Sequence, residues 1–160
     1  MPAKNGRLPQ LRRLFNQHNY SYRDKCLAMV DAAEHGQLET LQFLVSKRAD
    51  IHFRQEDALQ GACQNNHRDI VLFLIEKGAY VNANNGQALK NAARSHNEDM
   101  MELLIDNGAE FADFPKDLKQ TCQTFVDTLN SARKKEKTRQ NTLNINQRQQ
   151  SLRRFLRHKK

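Results

Sequence analysis

Histidine and cysteine, the side chains that most often bind metals or act as nucleophiles, are scattered along this sequence of 160 residues. A zinc site needs several such ligands at short spacings, and a catalytic cysteine needs a histidine base. No histidine here stands at a metal-ligand spacing from a cysteine. We therefore predict no catalytic set, no metal site and no cofactor. The residues concerned are His18, His35, His52, His67, His96 and His158, with Cys26, Cys63 and Cys122.

The sequence also lacks a glycine-rich loop that could cradle phosphate groups. Its six glycines are dispersed, and Asn84-Asn85-Gly86 is typical of a tight turn. The cysteines are far apart, which favours reduced thiols in a cytosol-like compartment over a disulfide framework. No apolar run reaches the roughly 18 residues of a membrane span, and there is no hydrophobic stretch of signal-peptide length near the start. These features predict a soluble, cytoplasmic, non-enzymatic protein.

Charge divides the chain into three parts. Residues 1–25 carry a net charge of +5, residues 26–113 carry −7 and residues 114–160 carry +10. Such asymmetry indicates separate roles for an acidic body and two basic arms. Three interpretations of the C-terminal arm stay open: a solvated tail, a segment that binds an acidic surface such as the body itself, and a segment that binds nucleic acid or an anionic membrane. Its candidate binding residues are Arg133, Lys134, Lys135, Arg153, Arg154 and Arg157.

One pattern begins at Ala28 and is written again from Ala58 and from Ala88. Small residues in its first half let backbones approach closely, and bulky apolar residues in its second half fill the space between neighbours. This predicts two helices per repeat, with Ala62 and Ala92 tightly packed. The helix pairs must stack, because one pair cannot bury its own apolar face. The small-residue segments are 28–33, 58–63 and 88–93, and the bulky blocks are 41–45, 71–75 and 101–105.

A helix predicted from Pro9 caps the N-terminal end of the stack. Leu11, Leu14 and Phe15 share one face of it, and their spacing matches that of the bulky block in the first repeat. We interpret it as a capping half-repeat, because an uncapped solenoid exposes its core. The predicted fold class is an all-α helical repeat solenoid with caps at both ends. Its segments are 1–25, the basic N-terminal segment with the half-repeat, and 26–113, the three repeats, at about 26–55, 56–85 and 86–113.

A C-terminal capping helix is predicted over residues 114–137, where Asp113 and Pro115 favour a helix start. Its apolar stripe is expected to cover the third repeat. A basic tail, 138–160, follows. The low hydrophobicity of residues 133–150 favours disorder, and the final ten residues have the pattern of a short basic amphipathic helix.

The run from Asn66 to Ala83 resembles the second helix and exit loop of an ankyrin repeat. Such repeats usually run to about 33 residues and begin with Thr-Pro-Leu-His. This chain keeps the leucine, as Leu59 and Leu89, and lacks three residues of the loop, or finger, between Ala83 and Ala88. The shortened form resembles arrays of giant viruses and of amoeba-associated intracellular bacteria. The resemblance also implies a structural role for His67 beside the inter-helix turn.

The resemblance implies a module that binds a protein partner in the groove formed by its fingers and first helices. Phe53 either anchors the partner or lies between the fingers. The alternatives are a nucleic-acid or chromatin-associated protein that uses its basic arms, and a translocated effector in a host cytoplasm. A monomer is expected, and Lys134 and Lys135 suggest the nucleus as a second compartment. The implied partner-binding residues are Glu34, His35, Gln64, Asn65, Arg94 and Ser95 at the first-helix ends and Phe53, Arg54, Gln55, Asn84, Asn85 and Gln87 in the fingers.

Overall fold

The structure, a computed structural model, describes the backbone of residues 7–157 and the side chains of residues 8–151 other than Asn16. Within that range the fold is all-α, as predicted. The predicted basic residues Arg153, Arg154 and Arg157, and the apolar face of the final ten residues, lie outside the described side chains. The helices are α1 (Arg7–Gln17), α2 (Tyr22–Glu34), α3 (Leu38–Ser46), α4 (Asp57–Gln64), α5 (Arg68–Glu76), α6 (Ala83–Arg94), α7 (Glu98–Asp106) and α8 (Lys116–Arg157).

Burial recurs with the sequence repeat in the helix pairs α2/α3, α4/α5 and α6/α7. Ala62 and Ala92 are no more than 1% exposed, which confirms their predicted tight packing. The second helices bury bulky residues at matching positions, so small and large side chains alternate through the stack. The buried bulky residues are Leu41, Leu44, Val71, Leu74, Met101 and Leu104.

A left-handed residue turns the chain between the two helices of each repeat. Gly36 has φ 68°, Asn66 has φ 60° and His96 has φ 50°. Glycine enters this region freely, and asparagine and histidine do so more readily than most residues. A residue with a positive φ also ends each second helix: Arg48, Gly78 and Gly108.

His67 joins the first two repeats. Its Nε2 lies 3.0 Å from the carbonyl oxygen of Glu34, and its ring lies directly over Gly36. Asn97, the equivalent residue of the next repeat, donates from Nδ2 to Oδ1 of Asn66 at 2.9 Å. In both cases the residue that precedes the second helix therefore bonds to the preceding repeat, either at the end of its first helix (Glu34) or at its turn (Asn66).

Helix α1 packs on the first repeat through aromatic contacts. The ring of Phe15 lies 4.6 Å from that of Tyr20 and 5.4 Å, edge-on, from that of Phe43. The guanidinium of Arg12 lies 5.5 Å from the centre of the Phe43 ring. Leu14 remains 44% exposed, beside an open cavity of about 240 Å³ between α1 and the first repeat.

The C-terminal helix differs from the sequence-based expectation. The predicted helix ends near residue 137 and is followed by disorder, whereas α8 continues as one helix to Arg157. Neither glycine nor proline occurs between residues 116 and 157, so no residue stops the helix once it has begun. The chain divides into two units after Lys119. None of the helices in the described range combines the length and apolar character needed to cross a bilayer.

Candidate protein-binding surface

The fingers are left-handed turns of three residues. The second contains the predicted tight turn at Asn84-Asn85-Gly86, and the first has the same backbone without a glycine. This conformation costs a non-glycine residue about 1–2 kcal/mol, so the first finger is held by its surroundings. The φ angles are 51°, 59° and 68° at Arg54, Gln55 and Glu56 and 51°, 56° and 71° at Asn84, Asn85 and Gly86.

Glu56 provides the contacts that hold the first finger. It is 1% exposed, and its Oε1 accepts the backbone N–H of Tyr80 at 3.2 Å and contacts Nδ1 of His52. Its second oxygen, Oε2, is buried with no hydrogen-bond partner. Burial of a carboxylate is costly without partners, so the bonds through Oε1 fix the side chain in place.

The fourth residue after each second helix donates its backbone N–H to a different chemical group in each repeat. The N–H of Asp50 lies 3.3 Å from Sγ of Cys26, the residue that corresponds to Glu56 in the preceding repeat. The N–H of Glu110 donates to Oδ1 of Asn82 at 2.8 Å. The first repeat thus supplies one acceptor, Cys26, and the second supplies two, Glu56 and Asn82.

Two pairs of rings lie beside the first finger, Tyr22 with Phe53 and His52 with Tyr80, and we call the four residues together the aromatic strip. Tyr22 is 56% exposed and Tyr80 is 65% exposed. The Tyr22 ring meets Phe53 edge-on at 6.4 Å, and the His52 ring stacks on Tyr80 at 4.6 Å. The Tyr22 hydroxyl donates to Oδ2 of Asp50 at 2.7 Å. Large aromatic side chains are therefore presented to solvent by a surface that restrains them.

The hydroxyl–carboxylate bond between Tyr22 and Asp50 shifts both pKa values. The bond, with a smaller effect of burial, raises the pKa of Tyr22 from 10.0 to about 12. The bond from Tyr22, and then the N–H of His52, lowers the pKa of Asp50 below its ordinary 3.8. The interaction therefore stabilises the fold between these limits. Its contribution falls as pH drops through the lowered pKa of Asp50 or rises through about 12.

We expect a late tyrosine ionisation near pH 12 that belongs to Tyr22. The chain has three tyrosines and no tryptophan, so tyrosinate absorbance can be followed against pH without interference. Tyr22→Phe should remove the late step, and Asp50→Asn should move it to lower pH because the carboxylate acceptor is gone. A late step that survives Tyr22→Phe would contradict the assignment.

Amide side chains connect the two fingers. Gln60 donates from Nε2 to the backbone oxygen of Gln55 at 2.6 Å, and its Oε1 accepts from Nδ2 of Asn84 at 3.4 Å. On α6, Gln87 donates to Oδ1 of Asn91 at 2.7 Å. Amides both donate and accept hydrogen bonds, so these side chains link the two fingers through bonds of both kinds.

The predicted site residues fall into two bands. In the fingers, Phe53 and Gln87 are half-buried and the other four residues are exposed. The six residues at the first-helix ends are all exposed. Helix α4 spans about 12 Å at the usual rise per residue and separates Gln55 from Gln64, so the structure does not bring the two bands together. Phe53 meets Tyr22 rather than standing alone.

Tyr22, His52 and Tyr80 were not among the predicted site residues. A usable indication was present, since Tyr80 is equivalent to Asp50 and Glu110 at the repeat spacing. Charged residues at equivalent positions indicate that the position faces solvent. An aromatic residue there is exposed, and exposed aromatic residues are typical of binding surfaces.

Comparison with known proteins identifies the repeat. The family model described as "Ankyrin repeats (3 copies)" matches residues 3–85 and 29–114, which is more than half of the chain. A search of the curated proteins gives no match. Among the described residues, no group of histidine, cysteine and acidic side chains could hold a metal ion. Ankyrin repeats are generally protein–protein interaction modules and are typically non-enzymatic. Three helix pairs that follow the sequence repeat, together with the family match, show that this chain belongs to the ankyrin-repeat family.

Proposed function

We propose that this protein binds a protein partner through its fingers, with the aromatic strip as the anchor. The observation that carries the proposal is the exposure of Tyr22 and Tyr80, 56% and 65%, at positions restrained by bonds to Asp50 and Glu56. Binding energy concentrates in aromatic residues of this kind. Restraint before binding lowers the entropy lost when the partner arrives.

The partner presents an apolar side chain to the strip and peptide groups to the amides beside it. Gln55 and Asn84 already belong to the bonded network between the fingers. The exposed side chains of Arg54 and Asn85 lie in the same two turns and add polar contacts at the rim. The first-helix ends form a second band that a large partner also reaches.

Removing either tyrosine should weaken the complex. Once a partner has been isolated with the full chain, we expect Tyr80→Ala and Tyr22→Ala each to reduce its affinity by about tenfold or more. Leu72→Ala is a matched control, because Leu72 is 38% exposed on α5, outside the strip. Titration calorimetry measures the loss, and circular dichroism checks the fold.

Two charge reversals separate the bands. Glu34→Arg with Arg94→Glu alters the first-helix ends and leaves the strip intact. If this pair abolished binding while both tyrosine variants kept full affinity, the partner would occupy the first-helix ends and the strip would not be its anchor.

A further inference from the structure

The second half of α8 is an exposed, basic and amide-rich helix. Every side chain from residue 130 to residue 151 is exposed. This segment contains six lysines or arginines and one acid, Glu136, and no aromatic residue. At the usual rise of an α-helix it is about 33 Å long.

One face of the segment, which we call the basic face, carries cations and asparagines: Lys134, Lys137, Asn141, Asn144 and Arg148. At about 100° per residue these five positions fall within an arc of roughly 80°. They span about 21 Å along the helix axis. Lys135 and Arg139 lie on the opposite side of the helix. They can therefore be compared with the cations of the basic face in binding experiments.

The segment lacks an apolar face. Its two large apolar residues, Leu143 and Ile145, are 46% and 55% exposed and lie about 200° apart around the helix. A helix that binds a protein groove or lies in a membrane surface needs apolar residues on one side. Binding of single-stranded nucleic acid needs aromatic residues for stacking. Neither feature occurs between residues 130 and 151.

We propose that the basic face of α8 binds duplex DNA in the major groove. Lysine, arginine and asparagine side chains all contact DNA phosphates, and the major groove of B-form DNA admits one α-helix. Asparagine bonds to adenine and arginine to guanine at the base edges. The major groove of A-form RNA is too narrow for such a helix. Duplex RNA is therefore the ligand that distinguishes binding in the major groove from general attraction to phosphates.

The test uses the full chain and a fluorescein-labelled DNA duplex of mixed sequence, with fluorescence anisotropy as the readout. Lys137→Gln with Arg148→Gln should reduce affinity by about tenfold and lower the salt slope by about two. Lys135→Gln with Arg139→Gln removes the same charge from the other side and should have a much smaller effect. All four residues are exposed, and circular dichroism verifies that both variants remain helical.

Four results would overturn the proposal. The first is no binding to the DNA duplex at low salt, and the second is an equal loss in the two paired variants, which indicates diffuse charge attraction. The third is duplex RNA binding as tightly as DNA. The fourth is displacement of the DNA by polyglutamate at equal charge concentration, which assigns the face to an acidic protein surface. Binding of DNA that is selective over RNA and sensitive to the basic face supports it.

Discussion

Gly36→Ala is expected to lower the free energy of unfolding by about 2–4 kcal/mol. Gly36 has φ 68°, where a side chain costs about 1–2 kcal/mol. An added Cβ would also lie 2.6 Å from a carbon of the His67 ring. That ring cannot withdraw freely, because its Nε2 bonds to the carbonyl oxygen of Glu34. The substitution therefore disturbs the junction between the first two repeats.

Gly78→Ala separates the cost of the left-handed backbone from the cost of a steric clash. Gly78 also has a positive φ, 97°, but nothing lies within 4 Å of an added Cβ. The Gly78→Ala substitution should therefore lower the free energy of unfolding by only about 1–2 kcal/mol, the cost of placing a side chain in the left-handed region. Chemical denaturation measures both variants. Equal losses at the two glycines would show that His67 does not fill the space over Gly36.

Ala92→Leu should destabilise the protein by about 3 kcal/mol, at the upper end of the usual cost of overpacking. Ala92 is 1% exposed, and its carbonyl oxygen accepts the N–H of Asn97 at 2.9 Å in the turn that follows. A larger side chain must displace a neighbouring helix or break this turn, because close-packed interiors leave little free volume.

Ala112→Leu is the control for that substitution, because Ala112 is exposed. The same change there should alter stability by no more than about 0.5 kcal/mol. The comparison of melting temperatures tests the register of the repeat directly. An Ala92→Leu variant as stable as the wild type would mean that position 92 does not face the core.

The repeat was predictable because each helix pair is specified by residues close together in the sequence, and the same residue pattern occurs three times. Ala62, Leu74 and Gly78 each have an equivalent residue in the following repeat, so a single helix pair, once recognised, fixes the burial of the others. The turn residues Gly36, Asn66 and His96 were likewise predictable, since their left-handed φ reflects a preference of the residue type.

The first finger and the aromatic strip depend on contacts between distant parts of the sequence. Arg54, Gln55 and Glu56 have no intrinsic preference for a left-handed turn, and their conformation depends on Glu56 reaching Tyr80 and His52. The acceptor of the Tyr80 N–H is a carboxylate in this repeat alone, because the position of Glu56 is Cys26 in the repeat before and Gly86 in the repeat after. Periodicity therefore does not reveal it. The length of α8 was missed for a different reason: low hydrophobicity argued for disorder, while the absence of glycine and proline permitted a helix.

The most direct test of the finger surface is site-specific photo-crosslinking in the presence of the partner. A benzophenone amino acid at position 80 would replace a side chain that is 65% exposed, and one at position 72 would replace a side chain that is 38% exposed away from the strip. We predict that the partner is joined from position 80 and not from position 72. Efficient crosslinking from position 72 with none from position 80 would contradict the assignment of the aromatic strip as the anchor.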